Sequence, residues 1–115
     1  MLPIFEYNPW YVTLFLLIFA HSLADYPLQG DFLAQGKNRN TPVGKMFWPY
    51  CLSSHAIIHA GFVLLITGNI TFAIAEFFIH GITDWLKCEN KINMFVDQFI
   101  HYACKFAYVA IIYWW

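Results

Sequence analysis

The stretch PWYVTLFLLIFAHSLADYPL, from Pro9 to Leu28, decides how this chain reads. Its run from Tyr11 to Ala20 carries no charge, and twenty residues at about 1.5 Å each span about 30 Å, the thickness of a bilayer's hydrocarbon. The segment closes on His21 and Asp25, which stack on one helical face because they are four residues apart. An apolar segment ending in two ligand-type side chains predicts a membrane helix with a polar inner end. Pro9 suits its first turn.

The rest of the composition agrees. Among 115 residues, 60% are hydrophobic, 21% aromatic and 11% charged, where a soluble domain carries about a quarter charged residues. The length fits one domain, residues 1–115. A net charge of −1 with six Lys plus Arg excludes nucleic acid as a partner, since little is available to neutralise phosphates. Cys51, Cys88 and Cys104 share no metal-type spacing and read as buried or interfacial thiols. The first apolar run follows Glu6 and Asn8 rather than a basic region and lacks a small-residue cleavage pattern, so it does not read as a removable signal.

Three more helices are predicted. Gln29 to Pro49 has loop composition, with Gly30, Gly36, Pro42, Gly44 and Pro49 among basic and amide residues, and room for one helical turn. Ser53 or Ser54 is the expected cap of a second helix ending near Thr67 at Gly68-Asn69. Thr71 is the expected cap of a third, to about Lys87, and Asn93 that of a fourth, from Met94 to the end. The predicted helices are 9–28, 54–67, 72–87 and 94–115. The fold class expected is all-α, a small membrane-embedded four-helix bundle with one long cytoplasmic loop.

Lys37, Arg39 and Lys45 in the first connection and Lys87 and Lys91 in the third, against an uncharged Gly68–Thr71, place both termini outside an inner (cytoplasmic) membrane. Tyr7, Trp10, Tyr113, Trp114 and Trp115 then anchor the outer interface, and Trp48, Tyr50 and Trp85 the inner one.

The i, i+4 pattern of the first helix recurs in every other. His55 pairs with His59, His80 with Asp84, and Asp97 with His101. The alternating topology puts each pair roughly 5 to 12 Å from the cytoplasmic boundary. Five imidazoles and three carboxylates in one layer must face inward and satisfy one another or a cation. The simplest common partner is a divalent metal, Zn²⁺, Fe²⁺ or Mn²⁺, as one or two ions. The candidate ligands are His21, Asp25, His55, His59, His80, Asp84, Asp97 and His101, some of them serving to orient the others. A metal-free polar network joining the helices is the alternative. Glu76 and Lys105 continue two of these faces by one turn, which predicts a buried ion pair; an ion path is the other reading. Lys37 and Arg39 either set topology or fold over the layer to hold a phosphate.

The order of motifs, His21-Ser-Leu-Ala-Asp25-Tyr-Pro-Leu-Gln29, Lys37, His55, His80-Gly-Ile-Thr-Asp84-Trp-Leu-Lys87 and Asp97-Gln98-Phe-Ile-His101, resembles domain of unknown function 3307, a family of small bacterial and phage membrane proteins. The likeness covers nearly the whole chain. It implies that His21, Asp25, Gln29, Lys37, His55, His80, Asp84, Lys87, Asp97, Gln98 and His101 fall on the family's polar positions, with His59 less clearly among them. More distantly the chain is similar to membrane-bound metal-dependent hydrolases.

These readings lead to an expected metal-dependent hydrolase at the cytoplasmic leaflet, acting on a lipid-linked phosphate or ester. The metal would acidify a bound water toward a pKa of about 7. Asp25 or Asp97 would act as catalytic base, and Gln29, Lys37, Arg39 and Lys87 would bind substrate. The alternatives are a non-catalytic membrane module stapled by a metal or polar cluster, and a metal or proton transporter. The transporter predicts polar groups continuing to the far side, where the sequence is almost wholly apolar. The short chain leaves little room for a substrate cavity, so a homo-oligomer is also expected.

Overall fold

The computed structural model describes residues 8–115; Glu6 and the expected anchor Tyr7 lie outside the described residues. Among these residues the chain is all-helical, with α1 (Trp10–Asp25), α2 (Gly30–Gly36), α3 (Pro42–Thr67), α4 (Ile70–Cys88) and α5 (Met94–Trp114). The helix α3 packs against α1, α2 and α4, and α5 packs against α1 and α4. In consequence α1, α3, α4 and α5 face a common interior, while α2 lies on α3. The longest dimension is 46 Å.

Four helices were predicted and five are found among the described residues. Residues 29–49, expected as a loop, form α2 and the first two turns of α3. Thr41, not Ser53 or Ser54, caps α3 by accepting the Gly44 amide at 2.9 Å, and Pro42 occupies the first helical position, which needs no N–H. The glycine at 44 reflects close approach, because a Cβ there would sit 1.6 Å from the Asn38 carbonyl oxygen. Pro49 lies inside α3 and leaves the Lys45 carbonyl without its helical donor.

The other ends follow the sequence more closely. Gly68 closes α3 in the left-handed region at φ 68°, where a Cβ would strain the backbone. Asn69, rather than Thr71, caps α4 by accepting from the Phe72 amide. Asn93 caps α5 as predicted, accepting from Val96.

Of the single helices described, α3 alone is long and apolar enough to cross a membrane, and α1 with α2 passes only as a pair bent by 83°. The helices α4 and α5 have 19 and 21 residues, but Glu76, His80 and Asp84 interrupt one and Asp97, His101 and Lys105 the other. Those groups point inward: all six are at most 2% exposed. An apolar cluster of Leu14, Leu17, Val63, Ile66, Phe72, Tyr108 and Val109 fills the remaining interior.

Candidate metal centre and polar layer

Asp25 ends α1 and projects one oxygen at three imidazoles. Its Oδ1 lies 2.9 Å from His59 Nε2, 3.1 Å from His55 Nε2 and 3.9 Å from His80 Nε2. Four ligands about 2.1 Å from a tetrahedral ion are separated by about 3.4 Å from one another. The observed spacings bracket that value, and donor atoms of Asp25, His55, His59 and His80 all fall within 4.8 Å of one another. The set comes from three helices: α3 supplies two imidazoles one turn apart, α4 supplies His80, and α1 the carboxylate.

The donor chemistry fits a divalent ion. His80 is 1% exposed, yet its Nε2 makes no hydrogen bond, and a buried polar atom left so is costly. Charge points the same way. Lys37 and Lys87 reach Asp84, at 2.8 and 3.3 Å, and Lys87 also reaches Asp97 at 3.6 Å. Asp25 forms no ion pair with Lys or Arg among the described residues. Three carboxylates against two ammoniums leave the Asp25 carboxylate without a Lys or Arg partner among the described residues, facing imidazoles. A cation there would balance it.

The remaining predicted ligands lie in contact with this set and play other parts. Gln98 donates from Nε2 to Asp25 Oδ2 at 3.2 Å and to Asp97 Oδ2 at 3.0 Å. Its Oε1 accepts from His21 Nε2 at 3.1 Å, and His21 Nε2 is also 3.2 Å from Asp25 Oδ2. Because both neighbours of that nitrogen are acceptors, it carries a proton and is no ligand as oriented. His21 and Gln98 thereby fix one Asp25 oxygen and turn the other toward the three imidazoles. His101 Nε2 lies 3.3 Å from Asp97 Oδ1, and its ring stacks on His80 at 4.1 Å. Asp84 Oδ2 is 3.6 Å from His55 Nε2. The amide of Gln98 occupies the space between Asp25 and Asp97, so the arrangement fits one ion better than two.

The expected substrate-binding residues divide into two groups. Gln29 donates to the Asp25 carbonyl at 3.1 Å and accepts from Lys37, so the α1–α2 elbow fastens onto Asp84 through Lys37, which is 5% exposed. Lys87 stands beside it, 30% exposed. Arg39 lies apart from the layer, paired with Glu89 and stacked over Trp85. The Asn40 amide, 2.6 Å from Glu89 Oε2, and the Arg39 guanidinium hold that carboxyl below its ordinary value.

One turn beyond the imidazoles, Lys105 donates to Glu76 at 2.5 Å, the buried ion pair the sequence predicts. Tyr108, which sequence reasoning did not single out, donates to the other Glu76 oxygen at 2.8 Å. Its place three residues after Lys105 on α5 was the available signal. Glu76 Oε1 also lies 3.7 Å from His80 Nδ1. Cys51, Cys88 and Cys104 are free thiols outside the site.

Fold and site define an all-helical protein whose interior holds a His and Asp cluster able to take a metal. The chain belongs to the family described as protein of unknown function (DUF3307), whose model matches residues 13–115. No curated protein and no solved structure matches it.

Proposed function

We propose that the chain is a multi-pass protein of the inner (cytoplasmic) membrane, with both termini outside, and that it is a metal-dependent hydrolase of lipid-linked phosphates or esters at the cytoplasmic leaflet. Support for the membrane is an inverted polarity. Five His, three Lys or Glu (Lys37, Glu76, Lys105) and two Asp are buried, whereas Phe15, Phe19, Ile57, Phe78, Phe95, Phe99 and Phe106 are exposed. Water penalises both halves of that pattern, and lipid rewards the second. The 46 Å length suits a bilayer of about 40–45 Å with its headgroups. Trp10 and Trp114 pack at one end, and Trp48 and Trp85 line a groove toward the other.

The observation carrying the metal reading is one Asp25 oxygen set 2.9, 3.1 and 3.9 Å from three imidazole nitrogens. The chemistry a divalent ion supplies there is Lewis-acid polarisation of the scissile group and a more acidic water. Lys37 and Lys87 flank Asp84 and offer two ammoniums to a substrate phosphate. With Asp25 committed as a ligand, Asp97, held by Gln98 and Lys87, is the general base. Water adds to the phosphoryl or acyl centre and the bond to the leaving oxygen breaks. Asp97 receives the water's proton and returns it to that oxygen.

The test is turnover of lipid phosphates and esters by protein in detergent micelles, before and after chelation. Metal-dependent release that Asp97→Asn lowers about a hundredfold, with metal content kept, supports hydrolysis. Absence of turnover by the metal-loaded protein removes it.

A second reading, a membrane module in which the ion only staples helices, is favoured by a specific feature: the cluster offers four protein donors, the number that structural rather than catalytic sites use. Hydrolysis requires one donor to yield, and His80, the furthest at 3.9 Å, is the one to do so. Transport is disfavoured, because Leu17, Val63, Ile66 and Val109 close the interior beyond Glu76 and Lys105.

A further inference from the structure

Outside the polar layer, two adjoining pockets that share Phe77 and Phe78 form a groove along the seam between α3 and α4. Its inner part, about 290 Å³, is lined by Trp48, Ser53, Ala56, Gly81 and Trp85. Its outer part, about 410 Å³, is lined by Ala60, Gly61, Leu64, Ile70 and Ala73. Phe77 and Phe78 line both. From Trp85 to Ile70 the groove follows about 22 Å of helix axis, from one interface to beyond the middle of a hydrocarbon layer about 30 Å thick. The polar layer lies behind it, walled off where Ala56 and Gly81 approach: a Cβ on Gly81 would be 3.7 Å from that of Ala56.

Charge marks one end. The Arg39 guanidinium lies 5.6 Å from the Trp85 ring centre, and its side chain is 51% exposed. Glu89 engages one of its nitrogens, and the guanidinium fork has five N–H donors in all. A cation above the inner mouth of an apolar groove matches an anionic headgroup on an acyl chain. A second copy of the chain fits less well, because a helix about 10 Å across cannot lie along a groove divided by Phe77 and Phe78, whereas a flexible chain can bend past them.

We propose that this groove binds one acyl chain of an anionic phospholipid, with its phosphate on Arg39. The site rests on the membrane reading and is independent of the metal and of hydrolysis. It is a bound-lipid position, since Ala56 and Gly81 separate it from Asp25 and the imidazoles.

Gly61 provides the sharpest probe. A Cβ there meets nothing within 4 Å and Gly61 lines the outer part, so Gly61→Leu extends a side chain into the groove. The full chain is first fractionated with membranes, then purified in detergent, offered phosphatidylglycerol or phosphatidylcholine, and weighed intact by native mass spectrometry. The wild type is expected to keep about one phosphatidylglycerol per chain, and Gly61→Leu to bind it roughly tenfold more weakly, as exclusion of about two methylenes implies. Arg39→Gln is expected to erase the preference for phosphatidylglycerol while leaving phosphatidylcholine binding unchanged. Membrane-bound wild type that retains no lipid overturns the proposal, as does undiminished binding by Gly61→Leu. A dimer that Gly61→Leu dissociates also overturns it, by assigning the groove to a second copy. Recovery in the soluble fraction without detergent overturns the membrane reading itself, a result separate from the others.

Discussion

Gln98 donates a hydrogen bond to Asp25 across 3.2 Å, tying α5 to the end of α1. That contact holds Oδ2 and leaves Oδ1 for His55, His59 and His80. Geometry at the cluster therefore depends on a residue outside it, and the tie can be cut without touching a ligand.

Replacing Gln98 with Leu is expected to weaken metal affinity about 10- to 100-fold, the usual consequence of losing an orienting partner. Competition against a chromophoric chelator measures it. Unchanged affinity would mean that Asp25 is held by the backbone and His21 alone.

The Glu76–Lys105 pair is buried, with both side chains at most 2% exposed. Glu76→Gln or Lys105→Met alone is expected to destabilise the protein by about 3–5 kcal/mol, because each strands a charge. The double variant Glu76→Leu with Lys105→Met should recover most of that loss. Thermal unfolding of the three variants in one detergent decides it, and additive losses would show that the two groups do not act as a pair.

Lys37 joins the elbow to Asp84 at 2.8 Å. Lys37→Ala is expected to raise KM for a phosphate-bearing lipid roughly 10- to 100-fold, the worth of a charge-assisted hydrogen bond, with kcat and metal content nearly kept. A fall in kcat at constant KM would instead place Lys37 in the reacting geometry.

Glu89 links the turn before α3 to the end of α4 through Asn40 and Arg39. Its carboxyl is held below the ordinary value, so the link's stabilisation is complete above the unfolded pKa of about 4.3 and is lost as pH falls through the lower folded value. Protection of the amides of residues 38–41 against exchange should therefore fall only in acid. Arg39→Gln with Asn40→Ala should abolish that onset, and an unmoved onset would detach Glu89 from it.

The polar layer was legible because i, i+4 spacing fixes a common face whatever the tertiary structure, so His55 with His59 and His80 with Asp84 could be aimed inward from sequence alone. Glu76 and Lys105 were legible for the same reason. What spacing does not encode is the pairing across helices: that Gln98 stands between Asp25 and Asp97, or that Lys37 turns inward to Asp84. The first turns of α3 were misread because Pro42, Gly44 and Pro49 have loop composition. At a helix start, however, Pro42 forfeits no hydrogen bond and Gly44 answers a steric demand of Asn38. Thr71 and Asn69 are both good caps, and Gly68 ends α3 so abruptly that Asn69 is the one placed to act.

Metal content of the purified protein tests the central claim most directly, by plasma mass spectrometry on the wild type, Asp25→Ala, His59→Ala and His101→Ala. One transition-metal ion per chain is predicted for the wild type and for His101→Ala, and substantially less than one for Asp25→Ala and His59→Ala. A metal-free wild type that stays folded, or equal content in all four proteins, would contradict it.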